Sequence, residues 1–161
     1  VFPGPRPNTS SICVSKCGDW SEALMDEIAT PTHRPAFVMG PFLSPFSSPA
    51  MDSENLIAVA SGIGVTPALS LLKKYSCTTR RMNMLWICRD GALVEHFLQS
   101  LDVINGRLLI YYTGKRRLYL NDDLPQDICL LKGRPDLEKA LTAIIYSTAY
   151  ELDLPEDLHR M

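Results

Sequence analysis

The sequence predicts an α/β fold in which a mostly parallel sheet carries helices on both faces. From Asn55 onward, apolar runs of strand length alternate with segments of helical pattern. Continuous apolar strands are typical of parallel sheets that are buried on both sides. The right-handed crossover rule then favours a doubly wound arrangement. A packed core is feasible, because 46% of the 161 residues are hydrophobic and 21% are charged.

The second part of the chain divides into strands that are followed by helices or a loop. The predicted strands are 56–60, 82–88, 107–113 and 127–132, and the predicted helices are 67–75, 92–101 and 135–149. The uncharged run 55–72 is long enough to cross a bilayer. Serine, glycine and proline interrupt its middle, so a strand, a turn and a helix explain it better.

The first part of the chain is less regular. It contains two short strand candidates (12–15 and 36–39) and, between them, a helical pattern over 21–29. Asp19 or Ser21 is the expected N-cap of that helix. A stretch rich in serine and proline, 43–54, is typical of a linker between two units.

Charge and metal-ligand content exclude several function classes. The net charge is −2 and the isoelectric point is about 5.9, which argues against nucleic acid as a partner. The five cysteines form no C-x-x-C pair, and the three histidines lie far apart, so no zinc spacing exists. Free, mostly buried thiols in a reducing compartment are the expectation.

The glycines that follow the first buried strand are the first candidate for a ligand site. Ligands of doubly wound sheets bind at the carboxyl ends of the strands, where Gly62 and Gly64 lie. Thr66 is a suitable N-cap and Pro67 a suitable first helical residue, which would direct free N–H groups at an anion. The pattern is G-x-G-x-x-P rather than the dinucleotide G-x-G-x-x-G. It therefore fits a phosphate-binding turn and an ordinary strand-to-helix turn equally well.

Cationic residues follow three successive strands. Arg89 and Asp90 close the second strand, the run 115–117 follows the third, and Arg134 follows the fourth. At this edge an acidic residue selects the 2′-hydroxyl of NAD, whereas an arginine accommodates the 2′-phosphate of NADP. Each cationic residue alone could simply be a charged side chain in contact with solvent. Cations after three successive strands together favour an anionic ligand.

Six motifs in order resemble a known family. They are GDWS (18–21), GPF (40–42), SGIGVTP (61–67), WICRD (86–90), YYTG (111–114) and GRPDL (133–137). The last four resemble the dehydrogenase domain of eukaryotic ferric reductases and NADPH oxidases, in the ferredoxin–NADP reductase superfamily. The first two resemble the end of its FAD-binding domain. The resemblance implies a β-rich FAD-binding remnant (1–42), a linker (43–54) and a Rossmann-like NADP-binding module (55–161), incomplete at its C-terminus.

The resemblance also implies cofactors and roles. NADPH would deliver hydride to FAD, which would pass electrons to haem in a transmembrane domain and then to ferric iron or dioxygen. The nicotinamide and diphosphate side of NADPH would lie against Gly62, Gly64, Val65 and Thr66. Ser21 would contact the FAD diphosphate, Arg89 and Arg134 would hold the 2′-phosphate, and Asp90 would orient that edge. The expected location is the cytoplasmic face of a membrane.

Two family features are missing from the sequence. The flavin motif H-P-F-T or R-x-Y-[ST] does not occur, and no C-G-P follows the last helix. These departures predict a truncated module or an incomplete gene product. They also keep open an alternative function, a non-catalytic nucleotide-binding or interaction fragment.

Overall fold

The computed structural model of the chain describes residues 2–3, 6–40, 42, 52–75, 79–99, 101, 105–120 and 124–151. The first elements are two antiparallel two-residue strands, β1 (Phe2–Pro3) and β2 (Ser10–Ser11). Helix α1 (Asp19–Glu27) follows them. The remaining elements form one parallel sheet and its helices.

The described residues form a sheet of four strands in the same order as in the chain. They are β3 (Asn55–Ser61), β4 (Arg81–Cys88), β5 (Leu108–Tyr112) and β6 (Ile128–Lys132). All neighbouring pairs are parallel. A short 3₁₀ helix (Gly62–Gly64) leads into α2 (Val65–Tyr75), and α3 (Gly91–Leu98) and α4 (Leu137–Glu151) follow β4 and β6.

Helices cover both faces of the sheet, as the sequence predicts. Strand side chains alternate between the faces, so Trp86 packs with α2 and α3 whereas Leu85 packs with α4. The larger core combines residues of α2 and α3 with the even-numbered positions of β4. On the other face, Ala140 and Ile144 of α4 cover Leu85. The predicted α/β fold with a parallel, Rossmann-like sheet is confirmed.

Helix α2 begins earlier than predicted. The 3₁₀ turn continues directly into the helix at Val65, so Thr66 is not the N-cap and Pro67 lies within the first turn. Proline is tolerated there because the first N–H groups of a helix have no partner within the helix. The predicted strand and helix at this motif are otherwise confirmed.

Both short strands predicted in the first part of the chain are wrong. Residues 12–15 and 31–40 have no regular structure, and β2 ends just before the first of these ranges. The side chain of Phe37 is fully exposed, at 106%. Among the described residues, none packs against this side chain, and a strand needs a neighbouring strand for its backbone hydrogen bonds.

Two further sequence predictions concern the start of α1 and the linker. The N-cap of α1 is Gly18, without a side-chain cap, so the predicted capping by Asp19 or Ser21 is wrong. Most of the predicted linker 43–54 lies outside the described residues. Within the described part of the chain, the helices are too short or too polar to cross a bilayer, and 55–72 is a strand followed by a turn and a helix.

Candidate functional site

An open cleft of about 490 Å³ lies at the carboxyl edge of the sheet. Each of the four strands contributes a residue at its end or just beyond it. The lining residues are Ser61, Gly62, Ile87, Arg89, Thr113, Arg134, Pro135 and Leu137. The volume falls within the range of small-molecule and cofactor sites, roughly 300–1,000 Å³. The position is the one at which doubly wound sheets bind their ligands.

Gly62 forms the cleft wall at the end of β3. Its φ angle is +50°, in the left-handed region that glycine adopts without strain. No atom lies within 4 Å of the position that a Cβ would occupy. The carbonyl of Gly62 accepts a hydrogen bond of 2.9 Å from the indole Nε1–H of Trp86. The bond to Trp86 thus holds the carbonyl of Gly62, and the position of a Cβ at this residue remains open.

Arg89 is held at the cleft by the start of α3. The next residue, Asp90, is the N-cap, and its Oδ1 accepts from the N–H groups of Ala92 at 2.9 Å and Leu93 at 3.3 Å. These bonds fix the chain direction directly after Arg89, whose side chain remains exposed. Asp90 therefore caps α3, and its Oδ1 is occupied by these two backbone groups.

Cys88 beside the cleft is a structural thiol. It is 1% exposed, and its Sγ–H donates to the carbonyl of Asp90 at 3.4 Å. Burial raises the pKa of the Cys88 thiol, so the thiol stays protonated at neutral pH. The sequence expectation of mostly buried thiols is confirmed at Cys88 but is wrong for Cys17 and Cys129, which are exposed.

Arg134 reaches the same cleft from the far strand. It lies between β6 and α4, and the N–H of the preceding Gly133 donates to Tyr112 O at 2.9 Å, which ties this loop to β5. Asp136 Oδ1 accepts from Lys139 N at 3.3 Å and caps the start of α4. The fold therefore brings Arg89 and Arg134, from distant parts of the sequence, to one cavity.

The basic run after β5 serves a different purpose. Arg116 forms a bidentate ion pair with Glu95 of α3, with N–O distances of 3.0 and 2.8 Å. The N–H of Tyr119 also donates to Glu95, at 2.6 Å. Lys115 and Arg117 are exposed and do not line the cleft. The expectation of cleft cations after three successive strands therefore holds for two.

We expect the Glu95–Arg116 ion pair to make the free energy of unfolding depend on pH. The hydrogen bond from Arg116 holds the pKa of Glu95 below its ordinary value of 4.5. Because the pKa of Glu95 is lower in the folded than in the unfolded protein, the ion pair stabilises the fold at any pH above the unfolded-state pKa. This stabilisation is lost as the pH falls through the folded-state pKa. Glu95→Gln should therefore lower the melting temperature at about pH 7, and this difference should shrink as the pH falls below about 4.5 and through the lower pKa of Glu95 in the folded protein. A difference between the two proteins that stays constant with pH would contradict the ionic origin.

The other predicted residues of the glycine turn do not line the cleft. Gly64 is exposed in the 3₁₀ helix, Val65 is completely buried in the core, and Thr66 is half-buried. Only Gly62 of this group reaches the cavity. Gly64 instead ends the 3₁₀ helix, and Val65 and Thr66 are the first two residues of α2.

Ser21 is already engaged within α1. Its hydroxyl donates to Gly18 O at 2.8 Å and accepts from Cys17 N at 2.8 Å, and the residue is 5% exposed. It does not line the cleft. A flavin diphosphate at this hydroxyl would have to replace one of these bonds, so the surroundings of Ser21 do not fit the group as they stand.

Five of the lining residues lie within the quoted motifs but received no individual role from the sequence: Ser61, Ile87, Thr113, Pro135 and Leu137. Thr113 is the first residue after β5 and opens the segment TGKRR, which the rule on strand ends singles out in the sequence. Its N–H donates to Cys88 O at 2.8 Å. Ile87 is the penultimate residue of β4 and resembles any other buried strand position in the sequence.

Comparison with known proteins identifies a relationship over the sheet region. Residues 53–127 match the family described as ferric reductase NAD binding domain. The chain is 29% identical to human NADPH oxidase 4 over 145 residues, which covers 77% of this chain and 24% of the relative.

Two rat proteins give similar matches. NADPH oxidase 4 is 31% identical over 111 residues, covering 56% of this chain and 19% of the relative. NADPH oxidase 3 is 32% identical over 113 residues, covering 60% of this chain and 20% of the relative. The chain thus spans about a fifth to a quarter of the length of these relatives. Sequence match, strand-end motifs and fold agree: the segment 53–127 matches the ferric reductase NAD-binding domain and is similar to the corresponding part of NADPH oxidases 3 and 4.

Proposed function

We propose that this chain is the NADPH-binding part of a flavin-dependent oxidoreductase of the ferric reductase or NADPH oxidase type. The observation that carries the proposal is the cleft, where the open backbone of Gly62 and the side chains of Arg89 and Arg134 line one cavity. A dinucleotide phosphate needs this combination of close backbone approach and positive charge.

Different residues of the cleft suit different parts of NADPH. Gly62 leaves room for a close approach, since the space in front of its Cβ position is empty. Arg89 and Arg134 are exposed guanidinium groups, suited to a 2′-phosphate. Ile87 and Leu137 provide apolar walls. Bound NADPH would supply a hydride, and the protein would supply its position.

The larger assignment extends this role to the whole protein. Hydride transfer to FAD, one-electron transfer to haem in a transmembrane domain, and reduction of ferric iron or dioxygen are proposed from the family relationship. The cytoplasmic face of a membrane is proposed on the same basis. A flavin absorbance spectrum of the purified chain separates this proposal from a non-catalytic nucleotide-binding fragment, which would bind NADPH without flavin.

Arg89→Glu is the direct test of the site. We expect the mutation to weaken NADPH binding by about 10- to 100-fold, the loss typical of a charge-assisted hydrogen bond plus added repulsion. NADH binding should change much less, because NADH has no 2′-phosphate. Isothermal calorimetry with both nucleotides measures this ratio.

Arg117→Glu is the matched control for that experiment. Arg117 is an exposed cation near the same edge, but it does not line the cleft. The control changes net charge by the same amount and should leave the NADPH to NADH ratio unchanged. Equal affinities of wild type and Arg89→Glu for NADPH, or no binding by the wild type, would refute the assignment.

A further inference from the structure

The indole of Trp86 connects the buried core to the wall of the cleft. Trp86 is completely buried in β4, and its ring contacts Phe97 of α3 edge-on, at a centroid distance of 6.1 Å. Its single polar group, the Nε1–H, donates to Gly62 O at 2.9 Å. A buried indole N–H requires a partner, and here the partner is a backbone group of the cleft.

The bond constrains the peptide that follows Gly62. A trans peptide is planar, and its C=O and N–H point in opposite directions. Because the Gly62 carbonyl points to Trp86, the N–H of Ile63 points away from the indole. The same carbonyl also accepts from the N–H of Val65, which closes the 3₁₀ turn. Two donors therefore fix one carbonyl and, with it, the orientation of the turn.

The left-handed conformation makes this constraint necessary. Gly62 has a φ of +50°, and glycine moves between left-handed and right-handed regions at little cost. No atom packs against its Cβ position to hold it by contact. The hydrogen bonds from Trp86 and Val65, rather than side-chain packing, thus hold the peptide at the cleft, and Trp86 is the side chain among the two donors.

We propose that Trp86 is a positioning residue of the nucleotide site, which orients the Gly62–Ile63 peptide for an anionic ligand. The inference rests on the proposed NADPH function and adds a residue that does not line the cleft. Trp86 acts through Gly62 and does not touch the nucleotide.

Trp86→Phe tests the proposal, because it removes the donor and keeps an aromatic ring. The control is Phe97→Leu, which disturbs the same core but leaves the Trp86–Gly62 bond. We expect Trp86→Phe to weaken NADPH binding about tenfold, the equivalent of one lost hydrogen bond at the upper end of its usual range. Phe97→Leu should lower the melting temperature with at most a twofold change in affinity. Equal losses of affinity in both variants, or none in either, would overturn the proposal.

Hydrogen exchange of the unliganded full chain provides a second measurement that does not depend on binding. Amides of residues 63–65 should exchange about tenfold faster in Trp86→Phe than in the wild type, and not in Phe97→Leu. Unchanged exchange in Trp86→Phe would overturn the positioning role. If the wild type binds no NADPH, the proposed function fails, and exchange alone decides whether Trp86 fixes the turn.

Discussion

Replacement of Gly106 by alanine is expected to destabilise the fold by about 3–5 kcal/mol. Gly106 has a φ of +132°, and an added Cβ would lie 2.1 Å from Met82 O and 2.6 Å from Met82 C. The loop approaches so closely because Met82 N donates to Asn105 O at 2.9 Å. Neither backbone can move without breaking the start of β4. Urea denaturation measures the loss.

Gly133→Ala separates strain from collision in this experiment. Gly133 also has a positive φ, +104°, but no atom lies within 4 Å of its Cβ position. Both variants therefore carry the strain of an unfavourable φ, and only Gly106→Ala carries the clash. We expect Gly133→Ala to lose about 1–2 kcal/mol. Similar losses for the two variants would show that the loop at Gly106 moves away from β4 at little cost.

Ile144→Asp is expected to detach α4 from the sheet and to lower stability by about 3–5 kcal/mol. Ile144 is 2% exposed, and with Ala140 it forms the contact of α4 with Leu85. A carboxylate at this position would be buried without a partner. The larger core, which packs against α2 and α3, does not include Ile144, so the loss should concentrate in α4. Hydrogen exchange along α4 measures it.

The neighbouring Ile145→Asp is the control, since Ile145 is 39% exposed. It changes the same residue type in the same helix and should have little effect on stability. Detachment of α4 should also weaken NADPH binding, because Pro135 and Leu137 at its start line the cleft. If Ile144→Asp keeps full protection of α4, the helix is held by contacts other than this core.

Much of the fold was predictable because each buried strand is a continuous apolar run. The predicted strand 82–88 differs from the observed β4 by one residue, since its side chains on both faces are buried. The predictions of strands at 12–15 and 36–39 were wrong because strand propensity is a local property. A strand forms only where a neighbouring strand accepts and donates its backbone hydrogen bonds. The start of α2 at Val65 was missed because a 3₁₀ turn and a capped loop share the same residues.

The site was predictable to the extent that it depends on strand ends. Gly62, Arg89 and Arg134 all follow strands, and all three line the cleft. The sequence did not distinguish Arg116 from them, because its partner Glu95 lies on another element and becomes a neighbour only through folding. The Trp86–Gly62 bond was hidden for the same reason: its residues are 24 positions apart.

The sequential order of the strands has a consequence for how the chain folds. Asn55 pairs with Arg81, Met84 with Leu108, and Leu108 with Ile128, so each pairing closes a segment of about 20 to 26 residues. Within the described sheet, each strand pairs with the strand that precedes it in the chain. The sheet can therefore grow from its first strand to its last as the chain leaves the ribosome, with each new strand added to an edge already formed.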